Sequence, residues 1–246
     1  MEKTTKTGLL DTGERIIPAE QNEMSVVFSR QLFAYQYASK YVVDKTVLDV
    51  GCGTGYGCHL LAGQAKHVTG IDYDIGAIEY CKLNYHDSNI EFIHADASNL
   101  PSTNLFDVVV SFQVIEHIAD VDNFIGRMKK RVTPGGMILI TTPNSKTGTA
   151  GVSDNVFHVN EMKYEEFYAL MKKHFPKFKI YGIGYSSKNR LREFLLKSPL
   201  YHVGKLLQRG SKIKKVATQL TGMTEFDIVT NGVQERAIDL LAVCTN

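Results

Sequence analysis

Val47 to Gly57, VLDVGCGTGYG, carries an acid at the end of an apolar run and then a glycine at every second position. The run reads as a short buried strand ending near Asp49. Gly51, Gly53, Gly55 and Gly57 read as a tight turn in which a ligand lies against bare backbone. A helix is predicted from Tyr56 to Gln64, so the turn opens onto free amides that favour a carboxylate or phosphate. Strand, glycine turn and helix form a nucleotide-type pocket. NAD enzymes, flavoproteins and S-adenosylmethionine (SAM) enzymes all use one, and the motif alone does not choose among them. Downstream, Asp72 and Asp96 end two further predicted strands, and Gln113, Glu116 and His117 follow a fourth. His158 stands apart from these, beyond a fifth. A Glu-His pair invites a metal or an acid/base role, and histidine is the side chain whose ordinary titration falls nearest neutrality.

These residues need an α/β frame. Met24 to Val43 places Val27, Phe28, Leu32, Tyr35, Ala38 and Val42 at helical spacing, with Ser25 as N-cap. That helix either pads the sheet edge or closes over a bound ligand. Strands are predicted at His67–Ile71, Ile90–His94, Phe106–Ser111, Met137–Thr141, residues 177–185 and Ala237–Cys244. Helices are predicted at Ile75–Tyr85, Val121–Val132 and Glu161–His174. FDVVVS from Phe106 has the near-continuous apolar character of a strand buried on both faces. The alternation argues for βαβ units and a parallel sheet, whose C-terminal edge is where ligands bind. Pro143 to Asn160 is a long loop at that edge, of the kind that shapes a substrate site.

Composition bounds the class. At 246 residues and 43% apolar, the chain can bury one sizeable core. No apolar run approaches the roughly 18 residues of a membrane span. Cys52, Cys58, Cys81 and Cys244 show no paired metal spacing, so reduced buried thiols and a cytoplasmic location are expected. Net charge is +2 but uneven: residues 1–175 hold 16 basic and 21 acidic side chains, residues 176–225 hold 11 and 2. The basic stretch includes Lys212, Lys214 and Lys215, and reads as helical from Arg190 to Leu220. Apolar leucines interleave with its charges. That pattern suits an anionic substrate or a peripheral membrane contact better than an RNA groove lined by exposed aromatics.

The order of motifs resembles the class I SAM-dependent methyltransferases, over roughly residues 45 to 185 plus the last strand. The resemblance implies a Rossmann-like α/β sheet of seven strands, parallel except for an antiparallel last strand, with an N-terminal helix and a helical insertion before that strand. It divides the chain into an arm and lid helix (1–44), a SAM-binding core (45–185), a basic helical insertion (186–225) and a last strand completing the sheet (226–246). It also implies SAM as cofactor and S-adenosylhomocysteine (SAH) as product. Asp49, Gly51, Gly53 and Gly55 match the family's first motif, with Asp49 near the methionine end of SAM or holding the glycine turn. Asp72 matches the acid that accepts the two ribose hydroxyls. Asp96, in HADASNLP, matches the adenine-contacting acid. Tyr73, Ala97 and Gln113 complete the expected cofactor pocket, Gln113 beside the methyl group.

Finer resemblances bear on the acceptor. In the quinone-biosynthesis O-methyltransferases a glutamate precedes the Glu-His pair by three residues and is proposed to help hold a divalent ion. Here that position is Gln113, a poorer ligand for a hard cation, so no required metal is expected. The stretch around His158, NVFHVNEMKYEEF, and the opening TGERIIP resemble the methyltransferases of surface-polysaccharide and glycan biosynthesis, although Val156 replaces their usual proline. They imply O-methylation of a sugar or glycan intermediate, anionic or lipid-linked, with His158 or His117 as base and Asn144, Lys212, Lys214 and Lys215 on the substrate. The Asn/Asp-Pro-Pro-Tyr signature of base-amine methylation is absent, which disfavours nucleic acid. The competing readings are a small-molecule or quinone O-methyltransferase, a SAM-binding partner protein without catalysis, and an NAD-dependent oxidoreductase.

Overall fold

A computed structural model describes residues 26–96, 105–145, 158–186 and 225–246 of the chain. The N-terminal arm, Ser25, Ala97, residues 146–157 of the long loop and the basic insertion with Lys212, Lys214 and Lys215 lie outside the described residues.

The core is one mixed sheet. Strands β1 (Thr46–Val50), β2 (His67–Asp72), β3 (Ile90–His94), β4 (Phe106–Phe112) and β5 (Val132–Pro143) run parallel. Strands β6 (Lys177–Tyr185), β7 (Phe226–Val229) and β8 (Asp239–Thr245) complete it, in the order β3-β2-β1-β4-β5-β8-β6-β7. The last strand is inserted antiparallel between β5 and β6, as expected. The eighth strand is a departure from the expected seven. FDIV, the sequence of β7, is four residues long, too short to carry a period, and it pairs antiparallel at the edge of β6. A second departure lies at Pro134-Gly135-Gly136, between the helix predicted to end at Val132 and the strand predicted from Met137. It falls inside β5, where Gly135 takes φ +77° and the register against β4 shifts between Phe106 and Val108. A bulge accommodates turn residues without ending the strand.

Helices α1 (Val26–Ala38), α2 (Tyr56–Ala62), α3 (Ile75–Asn84), α4 (Val121–Lys129), α5 (Tyr164–His174) and a short α6 (Val233–Arg236) cover the sheet. Asp74 and Asp120 begin α3 and α4 by accepting hydrogen bonds from Gly76 N and Asn123 N at 2.8 and 3.0 Å. One face buries Ile125, Met128, Phe167 and Met171 from α4 and α5. The other buries Ala34 and Tyr35 of α1 with Leu61, Ile78 and Cys81 of α2 and α3. Alternate residues of β8 feed the two faces, Leu240 and Ala242 one, Leu241 the other. The sheet is therefore covered on both sides, and the C-terminal edge of its parallel strands is left to bear function.

Candidate functional site

The glycine turn runs from the end of β1 to the start of α2, and Gly51, Gly53 and Gly55 all adopt left-handed backbone, at φ +79°, +53° and +80°. At Gly51 a Cβ would meet Val114 Cγ2 at 2.5 Å, whereas at Gly53 it would meet nothing within 4 Å. Gly53 is thus the point where the turn faces open space and a ligand can touch backbone. The turn is anchored from β2: Gly51 N and Cys52 N both donate to Ile71 O at 2.9 Å. Asp72 continues the anchoring with its side chain, Oδ2 accepting from Gly53 N at 2.9 Å and Oδ1 from Asp74 N at 3.0 Å. The task of holding the turn through amides, entertained for Asp49, falls to Asp72. Beside it the Tyr73 ring is 72% exposed, and Asp96, also exposed, follows β3. Asp72, Tyr73 and Asp96 stand at the ends of β2 and β3.

Asp49 is fully buried. Its Oδ2 accepts from Tyr35 Oη at 3.0 Å and from Cys58 Sγ at 3.3 Å, while Oδ1 is buried with no hydrogen-bond partner among the described residues. Burial pushes this carboxyl up to about 7, against the opposing hydrogen bonds from Cys58 and Tyr35. The Tyr35 contact comes from α1, which is docked firmly over the turn. Tyr56 Oη donates to Gln31 Oε1 at 2.6 Å, and the rings of Phe28 and Tyr56 meet edge to face at 5.4 Å. These contacts tie α1 to the glycine turn and to the start of α2.

A second buried acid was not singled out from sequence. Asp239 opens β8 opposite Pro143 of β5, and Oδ2 lies 2.9 Å from Arg30 Nε of α1, an ion-pair contact rather than an aligned hydrogen bond. Burial raises this carboxyl also to about 7, opposed by Arg30 and then by the Gln113 side chain. Gln113 itself takes φ +57° as the chain leaves β4. Its backbone N donates to Thr141 O at 3.1 Å and its Nε2 to Thr141 Oγ1 at 3.2 Å. An arginine within an apolar helical pattern and an acid opening IDLLAVC were the available signals.

The third group gathers Glu116, His117 and His158. Backbone explains how residues so distant in sequence converge: Val159 N and Asn160 N both donate to Glu116 O at 2.9 Å, and the Asn160 amide donates to Ile118 O. The His117 and His158 rings lie 4.9 Å apart, edge to face. One donor atom from each of Glu116, His117 and His158 lies within 4.8 Å of the other two. His158 Nδ1 is 2.5 Å from Glu161 Oε1, and Thr142 Oγ1 donates to Glu116 Oε2 at 3.3 Å. A sequence reading that looked three residues before the Glu-His pair, to Gln113, had no local signal that brings His158 to Glu116 and His117. Asn144, expected on the substrate, directs its amide into the fold, donating to Gln234 O and Ala237 O at 3.0 and 3.1 Å.

Comparison with known proteins places the chain in a family and a fold. A family described as a methyltransferase domain matches residues 42–194. A probable S-adenosylmethionine-dependent methyltransferase of Mycolicibacterium smegmatis is 36% identical over 166 residues, 65% of this chain and 63% of that protein. The chain thus spans less than two thirds of that relative's length. A ubiquinone biosynthesis O-methyltransferase of Mesorhizobium japonicum is 32% identical over 110 residues, 44% of each chain. Among solved structures, the N-methyltransferase NodS from Bradyrhizobium japonicum in complex with SAH shares the fold, with TM-score 0.57 at 16% identity, covering 92% of this chain and 89% of that one.

Proposed function

The chain belongs to the methyltransferase-domain family, and from that premise we propose that it transfers a methyl group from SAM to an acceptor hydroxyl, releasing SAH, with a sugar or glycan intermediate as acceptor. The observation that carries the cofactor reading is the glycine turn held open at Gly53 by Asp72. Bound SAM supplies a methyl group activated by the sulfonium. The chain's part is to hold the acceptor oxygen in line with that methyl, which can account for most of the acceleration. Asp72 receives the ribose hydroxyls on the lone pairs left over from its two amides. Tyr73 and Asp96 flank the adenine. Asp49, whose Oδ1 has no hydrogen-bond partner among the described residues, receives the ammonium of the methionine end, and Arg30 its carboxylate.

His158 takes the hydroxyl proton. Glu161 engages its Nδ1, the orienting arrangement that a general base needs. The saccharide class is supported by the glycan-enzyme-like context of His158, the long loop at the ligand edge and the basic stretch of sequence. A quinone-type phenol is the alternative that the ubiquinone relatives raise.

The donor atoms of Glu116, His117 and His158 also favour a second reading of the same corner, against the metal-free expectation. They fit a divalent cation, with Glu161 orienting His158 from behind. There the ion would act as a Lewis acid that lowers the pKa of the acceptor hydroxyl. Methyl transfer from labelled SAM, measured after exhaustive EDTA dialysis, separates the two. The base reading predicts full activity in the dialysed wild type and a turnover loss of roughly 10² to 10⁴ in His158→Ala. Activity that vanishes and returns with magnesium or zinc transfers the role to the cation.

A further inference from the structure

Asp239 is placed where a carboxylate is costly. It is 1% exposed, opens a largely apolar strand, and leaves Oδ1 without a hydrogen-bond partner among the described residues. A buried ion pair seldom stabilises a fold more than an apolar pair of the same volume would, so its retention calls for a geometric reason. The geometry supplies one. Along β8, Asp239 shares its parity with Leu241, which packs with Ala34 and Tyr35 on the face covered by α1. The carboxylate therefore meets α1, and it engages Arg30 through Nε at 2.9 Å.

Contact through Nε leaves the terminal amines, Nη1 and Nη2, as the working edge of the guanidinium fork. The Arg30 side chain is 18% exposed, although its Nε is buried. Gln113, the first residue beyond β4, stands beside Asp239. The pair thus sits at the C-terminal edge of the parallel strands, where Asp239 faces Pro143 at the end of β5.

We propose that Asp239 is a positioning residue, which aims the Arg30 guanidinium so that its terminal amines meet the carboxylate of the methionine end of the cofactor. This rests on the reading that the pocket holds SAM and that Arg30 receives its carboxylate. An unpinned arginine samples many rotamers and loses that freedom on binding, whereas one held at Nε presents a ready fork.

Two ligands test it, SAH and 5′-methylthioadenosine, which keeps the adenosine and the thioether but lacks the amino-acid end. Titration calorimetry on the full chain should show that Asp239→Asn weakens SAH by about 10- to 100-fold, the range of charge-assisted hydrogen bonds. 5′-Methylthioadenosine should bind both proteins alike. Arg30→Met should do the same, and Arg30→Met with Asp239→Asn should bind SAH no more weakly than Arg30→Met alone. Asp239→Glu, which keeps the charge but displaces it, should give a smaller loss confined to SAH. If Asp239→Asn binds SAH normally while Arg30→Met does not, the aiming role falls and the Arg30 assignment stands. If Arg30→Met binds SAH normally, that assignment falls as well. Equal losses of both ligands in Asp239→Asn and Asp239→Glu would make Asp239 structural and overturn the proposal.

Discussion

Asp49 and Asp239 share a predicament: each is buried, each has one oxygen engaged by a residue of α1, and each has the other without a hydrogen-bond partner among the described residues. Burial raises both carboxyls from an ordinary 3.8 to about 7. The sign of the consequence is fixed by linkage. Below the ordinary value folded and unfolded chains are both protonated; between it and about 7 the folded chain still binds a proton that the unfolded chain has released. The contribution is therefore fully present in acid and is lost as pH rises through about 7. Urea melts from pH 4.5 to 8 should show the stability of the wild type, relative to Asp49→Asn, falling toward neutrality and then levelling. A difference that rises with pH, or does not move, would mean that Asp49 is ionised throughout.

At the scale of elements, α1 and the glycine turn form one unit, and the contact between them is unusually close. A Cβ at Gly57 would lie 2.0 Å from the Tyr35 ring, so Gly57→Ala must displace the aromatic side chain that holds Asp49. Overpacking of this kind costs about 1–3 kcal/mol. Gly57→Ala should lower stability by that amount and weaken SAH. Adding Tyr35→Leu should recover part of the stability but not the affinity. Full affinity in Gly57→Ala would separate the helix from the site.

How far the sequence discloses these elements follows from what kind of signal each one leaves. The glycine turn, the acids at strand ends and the apolar run of β4 are local patterns, and the structure has them where the sequence placed them. α1 was legible as a helix from its apolar spacing, but nothing in that spacing singles out Arg30. Only the docking of α1 against β8 gives Arg30 a partner. The meeting of His158 with Glu116 and His117 depends on backbone hydrogen bonds between a loop and a turn, which no periodicity records. β7 is too short to leave a period at all.

Taken whole, the molecule presents a sheet covered on both faces, with its chemistry at one edge. None of the helices among the described residues is long and apolar enough to cross a membrane. The excess of basic over acidic residues in 176–225, 11 against 2, is a feature that the sheet does not require. If the acceptor is anionic, replacing Lys212, Lys214 and Lys215 together with Ala should raise its KM and flatten the dependence of that KM on salt, leaving SAM affinity intact. Neutral and anionic acceptors methylated equally at every salt concentration would remove charge from the account.

The central claim is that the turn from Gly51 to Gly55, with Asp72, holds SAM, and titration calorimetry with SAH and NADH as ligands tests it most directly. The account predicts saturable binding of SAH, none of NADH, and a loss in Asp72→Ala of about 1.5–3 kcal/mol for each charge-assisted hydrogen bond removed. Binding of NADH in place of SAH, or an Asp72→Ala protein that binds SAH as tightly as the wild type, would contradict it.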